Sequence, residues 1–591
     1  MYTAPVKDIS FALGKVAGLE AAIQGGLMGD LSQDVVDAIL EEAGKFAAEE
    51  IAPLGEAGER EGARFANGSV TMPAGWKDLY ARWSGAGWNA LTGPESHGGQ
   101  GLPTALSAAV TEMWNGASMA FAIGPTLTIG AVDALEKHGS DHLKATYLDK
   151  LVSGEWMGTM NLTEPQAGSD LSALRTRAER ADDGTYRIFG QKIFITYGEH
   201  DLTENIVHLV LARLPDAPAG VKGISLFLVP KFLVNEDGSL GARNDARCHS
   251  IEHKMGIHGS PTCTMIYGDD GDGAIGWLVG EENKGLACMF TMMNSARLYV
   301  GIQGLGVAEA ATQKALAYAK DRRQGRSTLL AKNPEPSNQM SPIVEHADVA
   351  RMLLTMKALT GSARAIAYAC GHAIDMARVH DGDDARLWSE RASLLTPLAK
   401  AFPTDVGVEV ASLGIQVHGG MGYIEETGAA RYLRDARIAT IYEGTNGIQS
   451  IDLVTRKLPL SDGAAATAYI DELAAIAEDV RASNRDGLGR TAERLQAALS
   501  DLRETTDFLL EALRTKRMDE ALSGATAYLR LFSLVAGASY LAKGAIVDAE
   551  GEARTALARF AAENLLAEVA ALKDQVLTGS ASLAAARVAL A

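Results

Sequence analysis

The order of helical and strand-like stretches is the feature that most restricts how this chain can fold. Apolar residues recur at helical spacing early on, for example over Asp34–Leu54, where we expect a helix that stops at Pro53. From about Met160 to Gly285, short alternating runs separated by turn signals predict strands instead. After Leu286 the helical spacing returns and persists almost to the end. The sequence therefore predicts an α+β protein in which a central antiparallel β domain lies between helical domains.

These changes of pattern divide the chain into four predicted domains. They are an N-terminal helical domain (1–159), a central β domain (160–285), a second helical bundle (286–460) and an extra C-terminal helical domain (461–591). A loop is expected at 327–341, and a break at 458–463 precedes the C-terminal extension, which carries Ala and Leu at amphipathic spacing. The expected strands include Tyr186–Thr196, Asn205–Leu214, Gly223–Pro230 and Met265–Tyr267.

Charge and cysteine usage exclude several classes of protein. The formal net charge of −19 over 591 residues disfavours binding to nucleic acid and to anionic membranes, because like charges repel. The N-terminus lacks the basic stretch and apolar run of a signal peptide, and no apolar segment reaches the roughly 18 uninterrupted residues of a membrane span. The 4 cysteines are scattered without a CxxC pair, which is typical of free thiols in a reducing compartment. Together these features predict a cytoplasmic protein.

Two apparent motifs are rejected on their spacing. Cys248, His249, His253 and His258 fit no common zinc pattern, so we expect no metal site. The glycines of 416–423 do not follow a predicted strand, which argues against a Rossmann dinucleotide fingerprint.

Two segments of the predicted β domain suit a flat ligand that carries phosphates. In the turn that enters the domain, Gly168 and Ser169 offer backbone N–H groups and a hydroxyl to a pyrophosphate. In the strand 190–198, Phe194 and Thr196 are expected on one face, where an aromatic ring and a hydroxyl can border a heterocycle. Taken alone, a polar turn and a half-buried strand explain these segments better.

Glu443 is the candidate general base of the second helical bundle. It stands among apolar residues in 439–447, directly before Gly444. Burial in such surroundings raises the pKa of a carboxyl group, which suits proton abstraction. A glutamate in a loop is more often solvated, so this segment alone does not establish the chemistry.

Taken together and in this order, the segments resemble the signatures of the acyl-CoA dehydrogenase family. Leu162–Asp170 matches the first signature, from which only Asn161 departs, and Gln416–Asp435 matches the second throughout. The resemblance runs from about residue 34 to residue 460. It implies the family's fold, FAD as cofactor, and α,β-dehydrogenation of an acyl-CoA thioester to a trans-2-enoyl-CoA.

The resemblance also implies roles for individual residues. Glu443 matches the catalytic carboxylate, which removes the α-proton while the thioester oxygen is stabilised as an enolate and the β-hydride passes to flavin N5. Arg322 matches an arginine that reaches the FAD of a neighbouring subunit, and Gln416–Gly420 matches a segment that receives the adenine end of that FAD. The implied FAD contacts are Leu162, Thr163, Gly168, Ser169, Phe194, Thr196, Arg322, Gln416, Gly419, Gly420, Gly444 and Thr445. The implied substrate contacts are Ser169, Asn294, Arg297 and Glu443.

The parts of the chain that exceed the shorter members resemble a long bacterial subgroup. They are the extension from about 464, an insertion at 235–250 and the loop at 327–341. This likeness implies 3-(methylthio)propanoyl-CoA as substrate and 3-(methylthio)acryloyl-CoA as product, within dimethylsulfoniopropionate degradation. It also implies an electron-transfer flavoprotein as electron acceptor and a homodimer as the assembled state. Apolar pocket residues decide acyl-chain choice, each worth only about 1–3 kcal/mol per methylene, and the sequence does not place them.

Four alternatives stay open. A short- or medium-chain fatty acyl-CoA dehydrogenase, acting in fatty acid metabolism, would share the base, and an acyl-CoA oxidase would admit oxygen to the reduced flavin. A DNA-binding alkylation-response flavoprotein would carry a basic C-terminal domain, whereas acidic residues outnumber basic ones in 464–591. A non-catalytic scaffold is disfavoured, because Glu443 and the FAD segments occur together.

Overall fold

The computed structural model describes residues 2–327, 339–548 and 550–591, without the side chain of Asn294. Most of the loop predicted at 327–341 lies outside these residues. The helices are α1 Val6–Phe11, α2 Leu19–Gln24, α3 Gln33–Phe46, α4 Ala52–Glu61, α5 Trp76–Gly85, α6 Thr104–His138, α7 Asp141–Ser153, α8 Gly285–Asp321, α9 Ala347–Val379, α10 Gly382–His418, α11 Ala429–Ala439, α12 Asn446–Asp452, α13 Ala464–Ala482, α14 Thr491–Arg514, α15 Met518–Ser523, α16 Ala525–Val547, α17 Glu552–Phe560 and α18 Val569–Ala586. The strands are β1 Arg64–Ala66, β2 Ser69–Thr71, β3 Met157–Asn161, β4 Arg177–Arg180, β5 Tyr186–Thr196, β6 Ile206–Arg213, β7 Ile224–Pro230, β8 Phe232–Val234, β9 Leu240–Arg243, β10 Ala246–Ile251, β11 Thr262–Tyr267 and β12 Ala274–Val279.

The chain divides into two compact units, each built from separate stretches of sequence. The helical unit comprises Met1–Lys45, Pro103–Gly116 and Arg297–Ala591. The β unit comprises Phe46–Leu102 and Ala117–Ala296. The division into four domains drawn from the sequence stays a prediction.

The main sheet of the β unit is mixed, whereas the sequence predicted antiparallel strands alone. Its strand order is β10-β11-β5-β12-β7-β6-β3, with β4 beside β5. The neighbours are antiparallel except that β3 runs parallel to β6, with Met157 opposite Ile206, and β4 meets β6 in parallel at Arg177 and Arg213. The strand prediction failed here because alternation reports which residues share a face, not which strand becomes the neighbour.

The core of the β unit lies on one face of β6 and β7. Alternate residues of these strands pack against α7 and the first turns of α8, as expected when one face of a sheet is covered by helices. The core members from these elements are Val207, Leu209, Leu211, Ile224, Leu226, Leu228, Leu143, Tyr147, Leu148, Leu151, Val152, Cys288, Met289, Met292 and Ala296. Among the described residues, none of β5 belongs to this core.

The helix predicted to stop at Pro53 continues past it to Glu61. After α3 the chain makes one turn of π-helix at Ala47–Ile51, and Pro53 then occupies the first turn of α4. Proline is tolerated in a first turn because the N–H that it lacks needs no helical partner there. The π turn interrupts the α-helical hydrogen bonding, so a new first helical turn follows it and can hold Pro53. The spacing of apolar residues does not reveal such a π turn.

In the helical unit, α9 packs along α10, and α16 of the C-terminal extension packs against both α9 and α12. The break predicted at 458–463 is confirmed. There Ser461 and Asp462 adopt left-handed φ values of 48° and 55° before α13 begins. The extension is therefore an integral part of the helical unit.

Two helices, α6 and α16, are long and apolar enough to cross a membrane by length and composition. Most of each apolar window is buried inside the protein, 83% in α6 and 72% in α16. Packing thus accounts for their apolarity, as in core helices.

Candidate active site

Glu443 lies in the short loop that joins α11 to α12. It has a φ of +56°, and Gly444 follows with +80°. A left-handed conformation costs a residue with a Cβ roughly 1–2 kcal/mol, so the surrounding structure must enforce it. Thr445 fixes the downstream side, because its hydroxyl caps α12 by accepting the Ile448 N–H at 3.1 Å.

The carboxylate of Glu443 is half-buried and accepts no hydrogen bond within the described residues. Its backbone N–H likewise finds no acceptor in the described parts of the chain. Burial raises the pKa of this carboxyl above its ordinary value, and the positive charges of Arg297 and Lys400 reduce that rise without cancelling it. An unengaged carboxylate of raised pKa is suited to accept a proton.

Arg297 lies in α8 with only 7% of its surface exposed. Its Nη1 is 3.7 Å from Asp452 Oδ2, and its Nε has no hydrogen-bond partner among the described residues. The structure thus brings Arg297 into the electrostatic surroundings of Glu443. The predicted contact of Arg297 with CoA stays a prediction.

In the β unit, Leu162 and Thr163 follow β3 and are half-buried. The Thr163 carbonyl accepts the Ile193 N–H at 2.9 Å. Lys192 Nζ donates a hydrogen bond to the Leu162 carbonyl at 3.0 Å. Two predicted FAD-contacting segments, the loop and β5, are therefore joined directly.

Glu164 organises the rest of this loop from a fully buried position. It accepts the Lys192 ammonium at 2.8 Å, the Arg175 N–H at 2.7 Å and the Thr176 hydroxyl at 2.6 Å. Burial by itself raises the pKa of Glu164, but the Lys192 charge and these hydrogen bonds outweigh burial and hold the pKa at about 2. The carboxylate is therefore ionised at physiological pH.

Phe194 stands at a bulge in β5, whose predicted bounds Tyr186–Thr196 are confirmed. Cys263 of β11 pairs with Ile195, but Met265 pairs with Lys192, so two residues of β5 oppose one of β11. Phe194 takes the left-handed φ of +60° and leaves 58% of its surface exposed, while Thr196 is half-buried. A strained, outward-facing aromatic ring is a typical feature of a ligand site.

Gly168 and Ser169 are exposed in the loop that Glu164 organises. No heavy atom lies within 4 Å of the point where a Cβ on Gly168 would stand. Asp170 then caps a short turn by accepting the Ser172 N–H at 2.9 Å. The peptide groups of this loop are thus open to a ligand.

A second predicted FAD segment, in the helical unit, lies at the end of α10. The ring of His418 stacks on Tyr318 of α8 at 4.5 Å, and the Arg322 N–H donates to the Tyr318 carbonyl at 2.8 Å. This stack brings Arg322 into the same region as Gln416, Gly419 and Gly420, which are exposed. A Cβ at Gly419 or Gly420 would meet no heavy atom within 4 Å.

The predicted site residues therefore fall into three local groups. The β unit brings together the loop 162–169 and the end of β5. The helical unit brings Arg297 to Glu443 and its neighbours Gly444 and Thr445, and it separately groups Arg322 with 416–420. Asn294 lies in α8, and the role predicted for its side chain lies outside the described residues.

Sequence reasoning missed two buried lysines that support these groups, Lys192 and Lys400. Both are 0% exposed. The available signal was a lysine inside an apolar stretch of strand or helix, where such a side chain is buried only with partners. His258, which matched no role, donates its backbone N–H to Glu59 Oε2 at 2.7 Å and places Nδ1 2.9 Å from Glu59 Oε1, and so ties the residues before β11 to α4.

Family models match nearly the whole chain. The N-terminal, middle and C-terminal domains of acyl-CoA dehydrogenase match residues 34–155, 159–269 and 283–458, and an "Acetyl-CoA dehydrogenase C-terminal like" domain matches 469–587. A 3-methylmercaptopropionyl-CoA dehydrogenase of Ruegeria pomeroyi is 47% identical over 99% of both chains. This chain belongs to the acyl-CoA dehydrogenase family.

Further relatives agree with this placement. A butyryl-CoA dehydrogenase of Syntrophomonas wolfei is 39% identical over 74% of this chain and 73% of that protein. The structure of butyryl-CoA dehydrogenase from Megasphaera elsdenii superposes with a TM-score of 0.58 at 27% identity, over 72% of this chain and 98% of that one. ACDH-11 of Caenorhabditis elegans, in complex with C11-CoA, reaches a TM-score of 0.78 at 20% identity over 98% and 96%, which shows the shared fold. The predicted fold and enzyme class are confirmed.

FAD is the cofactor of acyl-CoA dehydrogenases, and this chain is an FAD-dependent member. The residues present fit that cofactor. Phe194 exposes an aromatic face to a flat ring, and the peptide groups at Gly168, Gly419 and Gly420 are open to phosphate or sugar oxygens. The individual contacts remain predictions.

Proposed function

We propose that this acyl-CoA dehydrogenase oxidises 3-(methylthio)propanoyl-CoA to 3-(methylthio)acryloyl-CoA, with Glu443 as the base. The state of the Glu443 carboxylate carries the proposal. It is a half-buried group of raised pKa, without a hydrogen-bond partner in the described residues, on a backbone held in the left-handed region. The name of the Ruegeria pomeroyi relative, 47% identical over the whole chain, supports the substrate.

Glu443 would take the α-proton of the thioester onto its carboxylate. The residue must be ionised before the step and neutral after it, so a pKa between that of a solvated carboxyl and neutrality favours transfer. Arg297 and Lys400 act on this balance, because their charges favour the ionised form that burial disfavours. The two cations thus keep the base available.

The backbone N–H of Glu443 would donate to the thioester oxygen as negative charge develops there. Its lack of an acceptor among the described residues leaves it free for that purpose. Donors placed in this way in other acyl-transfer sites are worth roughly 3–4 kcal/mol each. When bound, FAD accepts the hydrogen that leaves the β-carbon together with its electron pair.

An anaerobic titration of the purified holoenzyme tests the base and the substrate together. The bleaching of the visible flavin band would be followed with 3-(methylthio)propanoyl-CoA, butanoyl-CoA, pentanoyl-CoA, octanoyl-CoA and palmitoyl-CoA. Pentanoyl-CoA is the matched control, because it replaces the thioether sulfur with one methylene. We expect fastest reduction by the thioether and a rate about 10²–10⁴-fold lower in Glu443→Gln.

The outcomes separate the parts of this proposal. Equal or faster reduction by pentanoyl-CoA would overturn the thioether preference and favour a short-chain fatty acyl-CoA dehydrogenase. Full reduction of the Glu443→Gln flavin would remove Glu443 from the role of base.

We further propose an electron-transfer flavoprotein as the electron acceptor. Membership of the dehydrogenase family supports it. Steady-state turnover in air with stoichiometric peroxide would contradict it and favour an acyl-CoA oxidase. Turnover that requires an added electron-transfer flavoprotein, without peroxide, is the expected result.

We propose that the protein acts as a cytoplasmic homodimer. Met421, Tyr423 and Ile424 are 49%, 87% and 44% exposed, directly beside the open glycines at 419–420. Apolar side chains grouped on a surface are typical of an interface, and a second copy would cover them. Light scattering should give twice the chain mass of 62.3 kDa for the wild type and a smaller mass for Tyr423→Glu. An unchanged mass would place the interface elsewhere.

A further inference from the structure

Lys400 is a lysine in α10 that is fully buried, at 0% exposure. Its ammonium makes no ion pair within 4 Å in the described residues. Instead Nζ donates to the Ala439 carbonyl at 2.9 Å and to Asn446 Oδ1 at 2.8 Å. A buried cation held by neutral acceptors is unusual, because burial of an ammonium is unfavourable unless it is paired.

The two acceptors of Lys400 stand at the two ends of the Glu443 loop. Ala439 is the last residue of α11, and Asn446 is the first residue of α12. The Asn446 N–H also donates to the Thr440 carbonyl at 3.1 Å, which closes the loop at its base. One ammonium therefore spans the six residues that contain the strained Glu443.

The amide of Asn446 is itself fixed by α10. Its Nδ2 donates to Asp405 Oδ1 at 2.7 Å and to Thr404 Oγ1 at 3.0 Å. With Nδ2 engaged in these bonds, Oδ1 accepts the Lys400 ammonium at 2.8 Å. The polar network Lys400, Asn446 and Asp405 thus connects one rigid helix to both sides of the loop.

We propose that Lys400 is a positioning residue, whose ammonium closes the loop around Glu443 and holds the carboxylate where it can take the substrate's α-proton. This inference rests on the proposed role of Glu443 as base. It explains why an ionisable amine is retained in a buried place that an apolar side chain would fill more favourably. It also accounts for a left-handed glutamate, because a loop fixed at both ends leaves the backbone few alternatives.

The charges around Lys400 define how its removal should affect the base. Glu443 and Asp405 face it as anions, and Arg297 faces it as a cation. Burial lowers the pKa of Lys400 to about 7, which the two carboxylates partly oppose. Loss of this cation would raise the pKa of Glu443, so the acid limb of the rate profile should move to higher pH.

The test compares Lys400→Met, which keeps length and removes every donor, with Lys543→Met as a matched control. Lys543 also donates to a backbone carbonyl, that of Val16 at 2.7 Å, but it makes no bond to the Glu443 loop. Hydrogen exchange of the 440–446 amides is measured on the holoenzyme by mass spectrometry. The rate of anaerobic flavin reduction by acyl-CoA is then measured across pH.

In Lys400→Met the hydrogen-bonded amides of this segment, those of Ile441, Tyr442 and Asn446, should exchange about 10- to 100-fold faster, the equivalent of losing one or two charge-assisted hydrogen bonds. Its flavin-reduction rate at pH 7 should fall by a similar factor with little change in acyl-CoA binding, and Lys543→Met should match the wild type in both. If Lys400→Met does not fold, Asn446→Ala removes one acceptor and should show the same changes at about a third of their size on a logarithmic scale.

Wild-type exchange and an unmoved pH profile in either variant would overturn the positioning role. Failure of the wild-type flavin to be reduced by any acyl-CoA would instead sink the proposed function. The exchange measurement would still decide whether Lys400 holds the loop.

Discussion

The β unit and the helical unit each hold a predicted cofactor or catalytic loop with one fully buried lysine, but they satisfy that lysine differently. Lys192 meets the carboxylate of Glu164 at 2.8 Å, whereas Lys400 meets a carbonyl and an amide oxygen. Removing one member of an ion pair leaves an uncompensated charge, while removing a cation from neutral acceptors leaves only unmade hydrogen bonds. The comparison suggests that the ion pair fixes structure, and that the lone ammonium is retained for its effect on Glu443.

The largest effect is expected from Lys192→Met, which strands Glu164 as a buried anion. The free energy of unfolding should fall by about 3–5 kcal/mol, with early release of FAD. Urea denaturation and flavin fluorescence measure the two effects. The double variant Lys192→Met with Glu164→Gln is the control and should recover part of the loss, because it removes both charges. No recovery would mean that packing, not charge, makes Lys192 important.

Acid should remove the contribution of Glu164 without any substitution. Its folded-state pKa of about 2 lies below the ordinary 4.5, so the stabilisation is complete above pH 4.5 and is lost as pH falls towards 2. Unfolding curves of the wild type and the double variant at pH 7, 4 and 2 should converge at the acid end. Parallel curves would contradict the assignment.

A third prediction moves to the helical unit and concerns Arg297, whose charge lowers the pKa of Glu443. Arg297→Met should raise that pKa, because burial still raises it and only the weaker charge of Lys400 still lowers it. Less Glu443 is then ionised at neutral pH, so flavin reduction at pH 7 should be several-fold slower and recover at higher pH. Stopped-flow rates across pH give the result, with Arg297→Lys as a charge-retaining control. An unchanged pH profile of the flavin-reduction rate in Arg297→Met would show that the charge of Arg297 does not affect the pKa of Glu443.

The smallest effect on stability and activity should come from replacing Arg530 in α16. This arginine joins the C-terminal extension to α10, the helix that carries Lys400 and Asp405. Its guanidinium lies 3.0 Å from Glu409 of α10 and 3.0 Å from Glu568, and its charge lowers the pKa of Asp405, which burial raises. Arg530→Met should lose about 1–2 kcal/mol of unfolding free energy, because the arginine is partly exposed. Flavin reduction should change less than that of Lys400→Met. Equal losses of flavin-reduction rate in the two variants would show that the extension, not Lys400, holds the Glu443 loop in place.

Sequence patterns predicted the fold and many of the candidate site residues, but not the buried lysines Lys192 and Lys400 that hold the site loops. The bounds of β5, Tyr186–Thr196, follow from alternation, because that strand is half-buried along its length. The bulge that turns Phe194 outward was missed, since it depends on the register between β5 and β11, a strand distant in sequence. The same holds for the parallel pairing of β3, which is settled by contacts distant in sequence. The π turn before Pro53 was missed as well.

The site residues divide along the same physical line. Glu443, Gly168 and Phe194 belong to contiguous segments, so a short stretch of sequence identifies them. Lys400 acts on a loop about 40 residues further along the chain, and no local spacing joins the two. Only the fold shows that its partners are Ala439 and Asn446.

The left-handed φ of Glu443 favours glycine at a position where the proposed chemistry requires a carboxylate. Glycine would adopt this backbone angle freely, so Glu443→Gly should relieve local strain even as it removes the proposed base. A selection for heat resistance alone would therefore tend to recover dead enzymes at this position. Directed evolution of this protein must screen turnover and melting temperature in the same round, because a stabilising substitution at this position would abolish the reaction.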